Sequence, residues 1–146
     1  MALHDERAGL LYTGDHLLPG ITPPPGLNFD GETRAPSLPS WLASLERLRE
    51  FDGAQVLPGH GESFGALGAA LDRNLAHAAQ QARRLRRLLQ REPATPYALV
   101  QELYPHLPSG LLWFKLAEVI GQLDLLQDHG DVRRVGEDEA RDGVLS

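Results

Sequence analysis

Hydrophobic positions in the first part of the chain occur in short runs separated by turns. Residues 9–13 and 54–57 are apolar, β-favouring runs, and each stops at a glycine-containing turn. Between the runs, residues 40–51 carry apolar side chains at helical spacing with charged residues on the other face. The order strand, loop, helix, strand, loop predicts an α/β arrangement.

The second part of the chain has a helical pattern. Residues 68–92 contain no proline and carry one apolar stripe, which predicts a single long helix. Shorter helices are predicted over residues 97–104, opened by Pro96, and over residues 111–127. Residues 132–135 are a candidate strand. Three helices with a small β element are typical of a winged helix.

A segment rich in proline and glycine, residues 19–39, follows the first run and includes Pro23-Pro24-Pro25. Proline lacks a backbone donor, so neither a helix nor a central strand is expected there. A structureless connection of this length either serves a site or is a surface excursion, and both interpretations stay open.

Composition limits the chemistry. The 146 residues suffice for one compact domain or two small ones, and they include no cysteine, so a metal would be bound through His, Asp or Glu. No apolar stretch is long enough to cross a bilayer and the start lacks a signal pattern, which favours a cytoplasmic protein without membrane contact. The net charge of −6 makes nucleic acid an unfavourable partner.

Two potential metal ligands follow the two predicted strands. Asp15 lies in Thr13-Gly14-Asp15-His16, and His60 lies in Leu57-Pro58-Gly59-His60-Gly61. Ligands of α/β sheets are bound at strand ends, and glycines allow a side chain to approach an ion closely. Carboxylate and imidazole suit zinc, iron and manganese alike. Either motif alone is more often a structural turn.

In this order, the two motifs resemble the second half of the metallo-β-lactamase superfamily. The resemblance implies that Asp15 bridges two zinc ions and that His60 binds the second. It implies the C-terminal half of an αβ/βα sandwich over residues 1–67, followed by a helical, winged-helix-like domain over residues 68–135, in which Asn74, His77 and Arg83 match. Residues 136–146 would be a flexible acidic tail. The complete enzyme would hydrolyse a small-molecule ester, thioester or phosphodiester.

The chain lacks the His-x-His-x-Asp-His motif of this family. His4 is expected to be a residue of a terminal strand, and His16 is expected to point away from the site. Two ligands do not normally hold a catalytic zinc. We therefore expect a truncated or partial metal-dependent hydrolase that is inactive alone and pairs with itself or with a complementing N-terminal half.

The alternative is a non-catalytic interaction module that binds a protein or nucleic acid through the winged helix. Its candidate contacts are the most basic stretch of the chain, Arg83, Arg84, Arg86 and Arg87. The third helix has Lys115 as its only basic residue, which is a poor recognition helix for phosphate. A solvated helix that braces the domain is the favoured interpretation of the arginines.

Overall fold

The computed structural model describes residues 1–23, 26–30 and 33–136. Its helices are α1 (Ser37–Arg47), α2 (Leu67–Leu89), α3 (Pro96–Leu103) and α4 (Leu112–Asp128). Its strands are β1 (Leu3–Asp5), β2 (Leu10–Gly14), β3 (Asn28–Asp30), β4 (Thr33–Ala35) and β5 (Gln55–Pro58). The α/β prediction is confirmed. Residues 137–146, most of the predicted acidic tail, lie outside the described part of the chain.

One three-stranded sheet, in the order β1-β2-β5, carries the two candidate ligands. β1 and β2 form an antiparallel hairpin, and β2 runs parallel to β5. A parallel pair needs a crossover connection, which α1 supplies here. Because β2 and β5 are parallel neighbours, their carboxyl ends meet at the same edge of the sheet.

The proline-rich segment departs from the prediction in two places. β3 and β4 pair antiparallel as a separate two-stranded sheet, which is possible because no proline lies between residues 28 and 35. Helix α1 begins at Ser37 rather than at residue 40. Pro39 is tolerated because the first N–H groups of a helix have no intrahelical acceptor.

The candidate strand at residues 132–135 was a wrong prediction. Within the described residues no strand follows α4. Val132 packs against the second core while Arg133, Arg134 and Val135 are exposed, and none of the described strands pairs with this segment. The helices of the predicted winged helix form, but its small β element does not, and a winged helix is not confirmed.

Two hydrophobic cores share helix α2. The first joins the sheet, through Leu11 and Val56, to α1 and to the start of α2, including Leu71. The second joins the end of α2, including Leu85, to α3 and α4. The predicted boundary between residues 67 and 68 thus falls at the first turn of a helix that belongs to both cores, and the division into two domains stays a prediction.

An ion pair ties the β3–β4 hairpin to the helices. Arg34 in β4 donates two hydrogen bonds to the carboxylate of Asp124 in α4. Both side chains are largely buried, with exposed fractions of 17% and 10%. Two parallel hydrogen bonds between a guanidinium and a carboxylate constrain their relative orientation. This contact therefore fixes the hairpin against α4. None of the described helices is long and apolar enough to cross a membrane.

Candidate functional site

The loops after β2 and β5 are joined directly by their backbones. The Gly59 N–H donates to the carbonyl of Gly14 at 2.9 Å, one residue before each candidate ligand. The register of the parallel pair shifts between Tyr12 and Gly14, so that Gly14 pairs with Pro58. Such an irregularity redirects the backbone at a strand end. It places the residues after Gly14 and Gly59 side by side.

Asp15 and His60 are in contact. The Nδ1 atom of His60 lies 2.6 Å from Oδ1 of Asp15, although the two residues are 45 positions apart. Both side chains are open to solvent, with exposed fractions of 60% for Asp15 and 77% for His60. Neither has another hydrogen-bond partner among the described residues. The structure therefore brings together the two residues that the sequence selected.

Glycine is required next to both ligands. A Cβ atom at Gly59 would lie 2.5 Å from Oδ1 of Asp15 and 3.0 Å from the backbone carbon of Gly14. Gly14 and Gly61 adopt φ angles of 53° and 86°, which L side chains rarely adopt. The close approach of the two loops thus depends on these glycines.

The buried side chain of Thr13 stabilises the turn that carries Asp15. Its hydroxyl donates to the carbonyl of Leu17 at 3.0 Å. The His16 N–H donates to the Thr13 carbonyl at 3.1 Å and closes the turn around Asp15. Sequence reasoning missed this role, although Thr13 follows Leu11 at the spacing of the buried face of β2.

His16 points away from the Asp15–His60 contact, as predicted, and is directed toward α1. Its Nε2 atom lies 2.8 Å from the hydroxyl of Ser44, and its carbonyl accepts from Nε1 of Trp41 at 3.1 Å. Burial lowers the pKa of His16 below its ordinary value of 6.5, and the positive charges of the N-terminus and Arg47 lower it further. Both the ring and the carbonyl of His16 are therefore hydrogen-bonded to α1.

His4 also lies where the sequence placed it. It is the middle residue of β1, and its ring packs against Phe51 with 4.6 Å between the ring centroids. Within the described residues no group of three or more histidines and carboxylates can hold a metal ion.

Asp15 and His60 therefore form a pair of candidate metal ligands. Ligand atoms about 2.0–2.2 Å from a tetrahedral zinc stand roughly 3.3 Å apart, so Asp15 and His60 would need to separate by about 0.7 Å to bind one ion together. That movement is small for two exposed side chains. The chemistry of the pair fits zinc, but the pair lacks the third ligand of a catalytic site.

The four arginines of the interaction hypothesis lie on exposed sides of α2. Arg84 donates to Gln81 at 3.3 Å, and Arg86 forms a 3.3 Å ion pair with Asp131. Arg83 and Arg87 have no charged partner among the described residues. Their contact with nucleic acid stays a prediction.

A second cluster of ionisable side chains, which sequence reasoning missed, lies between α2 and α4. Oε1 of Glu118 is 3.7 Å from Nε2 of His77, and Oε2 of Glu118 is 2.6 Å from Nζ of Lys115. Lys115 lies over the ring of Tyr104, 4.9 Å from its centroid. Burial, and then the Glu118 carboxylate, raises the pKa of Tyr104.

The pKa of Lys115 is also raised. Burial alone would lower it, but the hydrogen bond and charge of Glu118 outweigh burial. The spacing of Lys115 and Glu118 in α4 was the only sequence signal of this cluster, because the contact with His77 depends on how α2 packs against α4.

Comparison with known proteins gives relatives that are longer than this chain. The probable metallo-hydrolase YqjP of Bacillus subtilis is 30% identical over 129 residues, which are 87% of this chain and 40% of the relative. No protein-family model matches the chain.

Two solved structures share the fold. A β-lactamase domain protein from Burkholderia ambifaria superimposes with a TM-score of 0.80 at 29% identity, over 94% of this chain and 41% of that protein. A metallo-β-lactamase family protein from Thermus thermophilus does so with a TM-score of 0.75 at 29% identity, over 92% of this chain and 42% of that protein. The chain thus spans about two fifths of the length of these relatives.

Proposed function

We propose that this chain forms part of a metal-dependent hydrolase. Its homologues and structural neighbours are metallo-β-lactamase family proteins. The chain matches less than half of each relative, which is consistent with the C-terminal part of such a protein. In this proposal the chain contributes Asp15 and His60 as two ligands of a zinc centre. The remaining ligands come from polypeptide beyond these 146 residues, and without them the chain does not hydrolyse substrate.

The observation that carries the proposal is the 2.6 Å contact between Asp15 and His60 at the joined ends of β2 and β5. A purely structural ion pair gains little at this degree of exposure. The glycines nevertheless hold the two loops at a distance that excludes even a methyl group at position 59. Two exposed ligand atoms that converge on a closely fitted backbone are compatible with one side of a metal site.

In the complete site, Asp15 and His60 would hold the metal from one side. A bound zinc supplies a Lewis acid and a water molecule whose pKa is lowered toward about 7. The role of this chain is to fix the direction of its two donors. The Thr13–Leu17 hydrogen bond sets the turn of Asp15, and the Gly14–Gly59 hydrogen bond sets His60 beside it.

An exposed face of the sheet indicates where the rest of such a hydrolase would pack. Leu3, Tyr12 and Leu57 lie in register across β1, β2 and β5, on the face opposite to the first core. Leu3 is 62% exposed and Tyr12 is 44% exposed. An apolar row on a sheet face is typical of a surface that another layer covers. We propose that the polypeptide supplying the missing ligands covers this row.

The proposal is tested by zinc titration of the chain, followed through the imidazole NMR signals. We expect weak binding, with a Kd on the order of 0.1–1 mM, that shifts the His60 signals first. Asp15→Asn and His60→Ala should each abolish it, whereas His106→Ala, which changes an exposed histidine of the α3–α4 connection, should leave it unchanged.

Two results would contradict the proposal. Stoichiometric, tightly held zinc in the purified chain would show that the ligand set is already complete. Zinc binding that survives both site variants would show that the metal binds elsewhere. A gain of hydrolysis on co-expression with a polypeptide that carries a His-x-His-x-Asp-His motif would support the division of ligands.

A further inference from the structure

A cavity distinct from the Asp15–His60 site lies beside the second core. It has a volume of about 940 Å³, within the range of about 300–1,000 Å³ found for small-molecule pockets. Its walls come from the end of α2, the α2–α3 connection, one face of α4 and the segment after α4. Asp15 and His60 do not contribute to it.

The walls of the cavity are largely apolar. Leu89 of α2, Ile120 and Leu123 of α4, and Val132 after α4 line it. Leu89, Leu123 and Val132 also pack against the second core, so these walls are held by the fold. An apolar ligand body placed there would be removed from water, which favours binding.

The charged residues around the cavity favour an anion. Four arginines and two aspartates are among the described residues that line it, and Arg133 already has an interaction of its own. Arg34 is held by Asp124 and Arg86 by Asp131, so these pairs are locally neutral. Arg134 is exposed at the cavity and has no ion pair among the described residues.

From this combination we infer that the cavity between α2, α4 and residues 130–136 binds a small amphipathic carboxylate, whose apolar body contacts Ile120 and Leu123 and whose anionic head pairs with Arg134. Guanidinium and carboxylate groups pair through two parallel hydrogen bonds, so Arg134 provides direction as well as charge. The inference does not depend on the proposed metal site.

Octanoate is the probe that tests the site, by calorimetric titration of the full chain at low salt. Butanoate has the same head group and less apolar surface, and octanol has a similar apolar body and no charge. We expect octanoate to bind at least tenfold more tightly than either, because each loses one of the two contributions. The amide NMR signals of Ile120, Leu123 and Val132 should shift.

Two matched variants locate the head group. Arg134→Glu should weaken octanoate binding by about tenfold or more, because it replaces the attraction by repulsion. Arg73→Glu makes the same charge change at an exposed position of α2 that does not line the cavity, and it should leave the affinity unchanged. Folding is monitored by circular dichroism, and both positions are exposed.

The inference is overturned by any of three results. Equal affinities for octanol and octanoate would show that the cavity does not recognise the carboxylate. An equal loss with Arg73→Glu and Arg134→Glu would reduce the effect to net charge. Absence of heat and of NMR shifts at millimolar octanoate would show that the cavity binds no such ligand.

Discussion

Two regions of this molecule pair a histidine with a carboxylate, and they differ in what the surrounding chain does with the pair. Asp15 and His60 stand at strand ends, largely exposed and 2.6 Å apart. Glu118 and His77 stand on packed helices, 3.7 Å apart, and the Glu118 carboxylate is already bound by Lys115. The first pair is accessible from solvent, whereas the Glu118 charge of the second is compensated within the fold.

The difference shows that residue type alone does not identify a metal site. An imidazole and a carboxylate converge as candidate metal ligands where glycines let two loops approach each other. The same two groups become part of an ion-pair cluster where they project from neighbouring helices.

The largest expected effect comes from filling the contact between the two loops. Gly59→Ala places a methyl group 2.5 Å from the Asp15 carboxylate and 3.0 Å from the Gly14 backbone, so the loops must separate. We expect a loss of about 2 kcal/mol in the free energy of unfolding, measured with denaturant. Gly110→Ala adds the same methyl group where no atom lies within 4 Å, and should change stability little.

The helical cluster should depend on its carboxylate. Glu118→Gln removes the charge that binds Lys115 and faces His77, and leaves the half-buried ammonium beside Tyr104. We expect a loss of about 1 kcal/mol in the free energy of unfolding.

The matched control for Glu118 is Glu102→Gln. Glu102 faces Arg91 at 3.9 Å and is 62% exposed, so its replacement should cost much less. Equal losses in the two variants would show that the α2–α4 cluster is no more stabilising than an ordinary surface pair.

A smaller effect is expected from His16, beside the site. Its pKa in the folded protein lies below the ordinary value of 6.5, so the unfolded chain binds a proton more readily. The stabilisation from this residue is present above pH 6.5 and decreases as the pH falls below that value. His16→Asn should flatten the pH dependence of the unfolding free energy in this window, as measured by denaturant unfolding at several pH values.

The smallest effect on stability is expected at the candidate ligands themselves. Asp15→Asn removes an ion pair that is mostly exposed, so the free energy of unfolding should change by no more than about 0.5 kcal/mol, as measured with denaturant. A loss of zinc binding without a loss of stability would distinguish a ligand from a structural pair. A loss well above 1 kcal/mol would instead make the pair structural.

Local sequence predicted most of the helices and strands and the two loops that bring Asp15 and His60 together. The two apolar runs that end at Gly14 and Gly59 became parallel neighbours, and this alone brings Asp15 to His60. Pro96 opens α3 as expected, with the Thr95 hydroxyl accepting the hydrogen bond of the Ala98 N–H. These features depend on residues that are close in sequence or on the general geometry of parallel strands.

The features that the sequence did not predict depend on distant contacts. Arg34 and Asp124 are 90 positions apart, and nothing near either residue indicates the other. The β3–β4 pairing was obscured by the prolines on both sides of it. A strand at residues 132–135 needed a partner strand, which the apolar pattern of Val132 and Val135 could not guarantee.

Helix α2 has a consequence for how the chain unfolds. Its 23 residues, about 35 Å long, carry Leu67 and Leu71 into the first core and Ala82 and Leu85 into the second. Melting either core exposes one end of the same helix and weakens the packing of the other. We therefore predict that the two cores lose their structure in one cooperative transition.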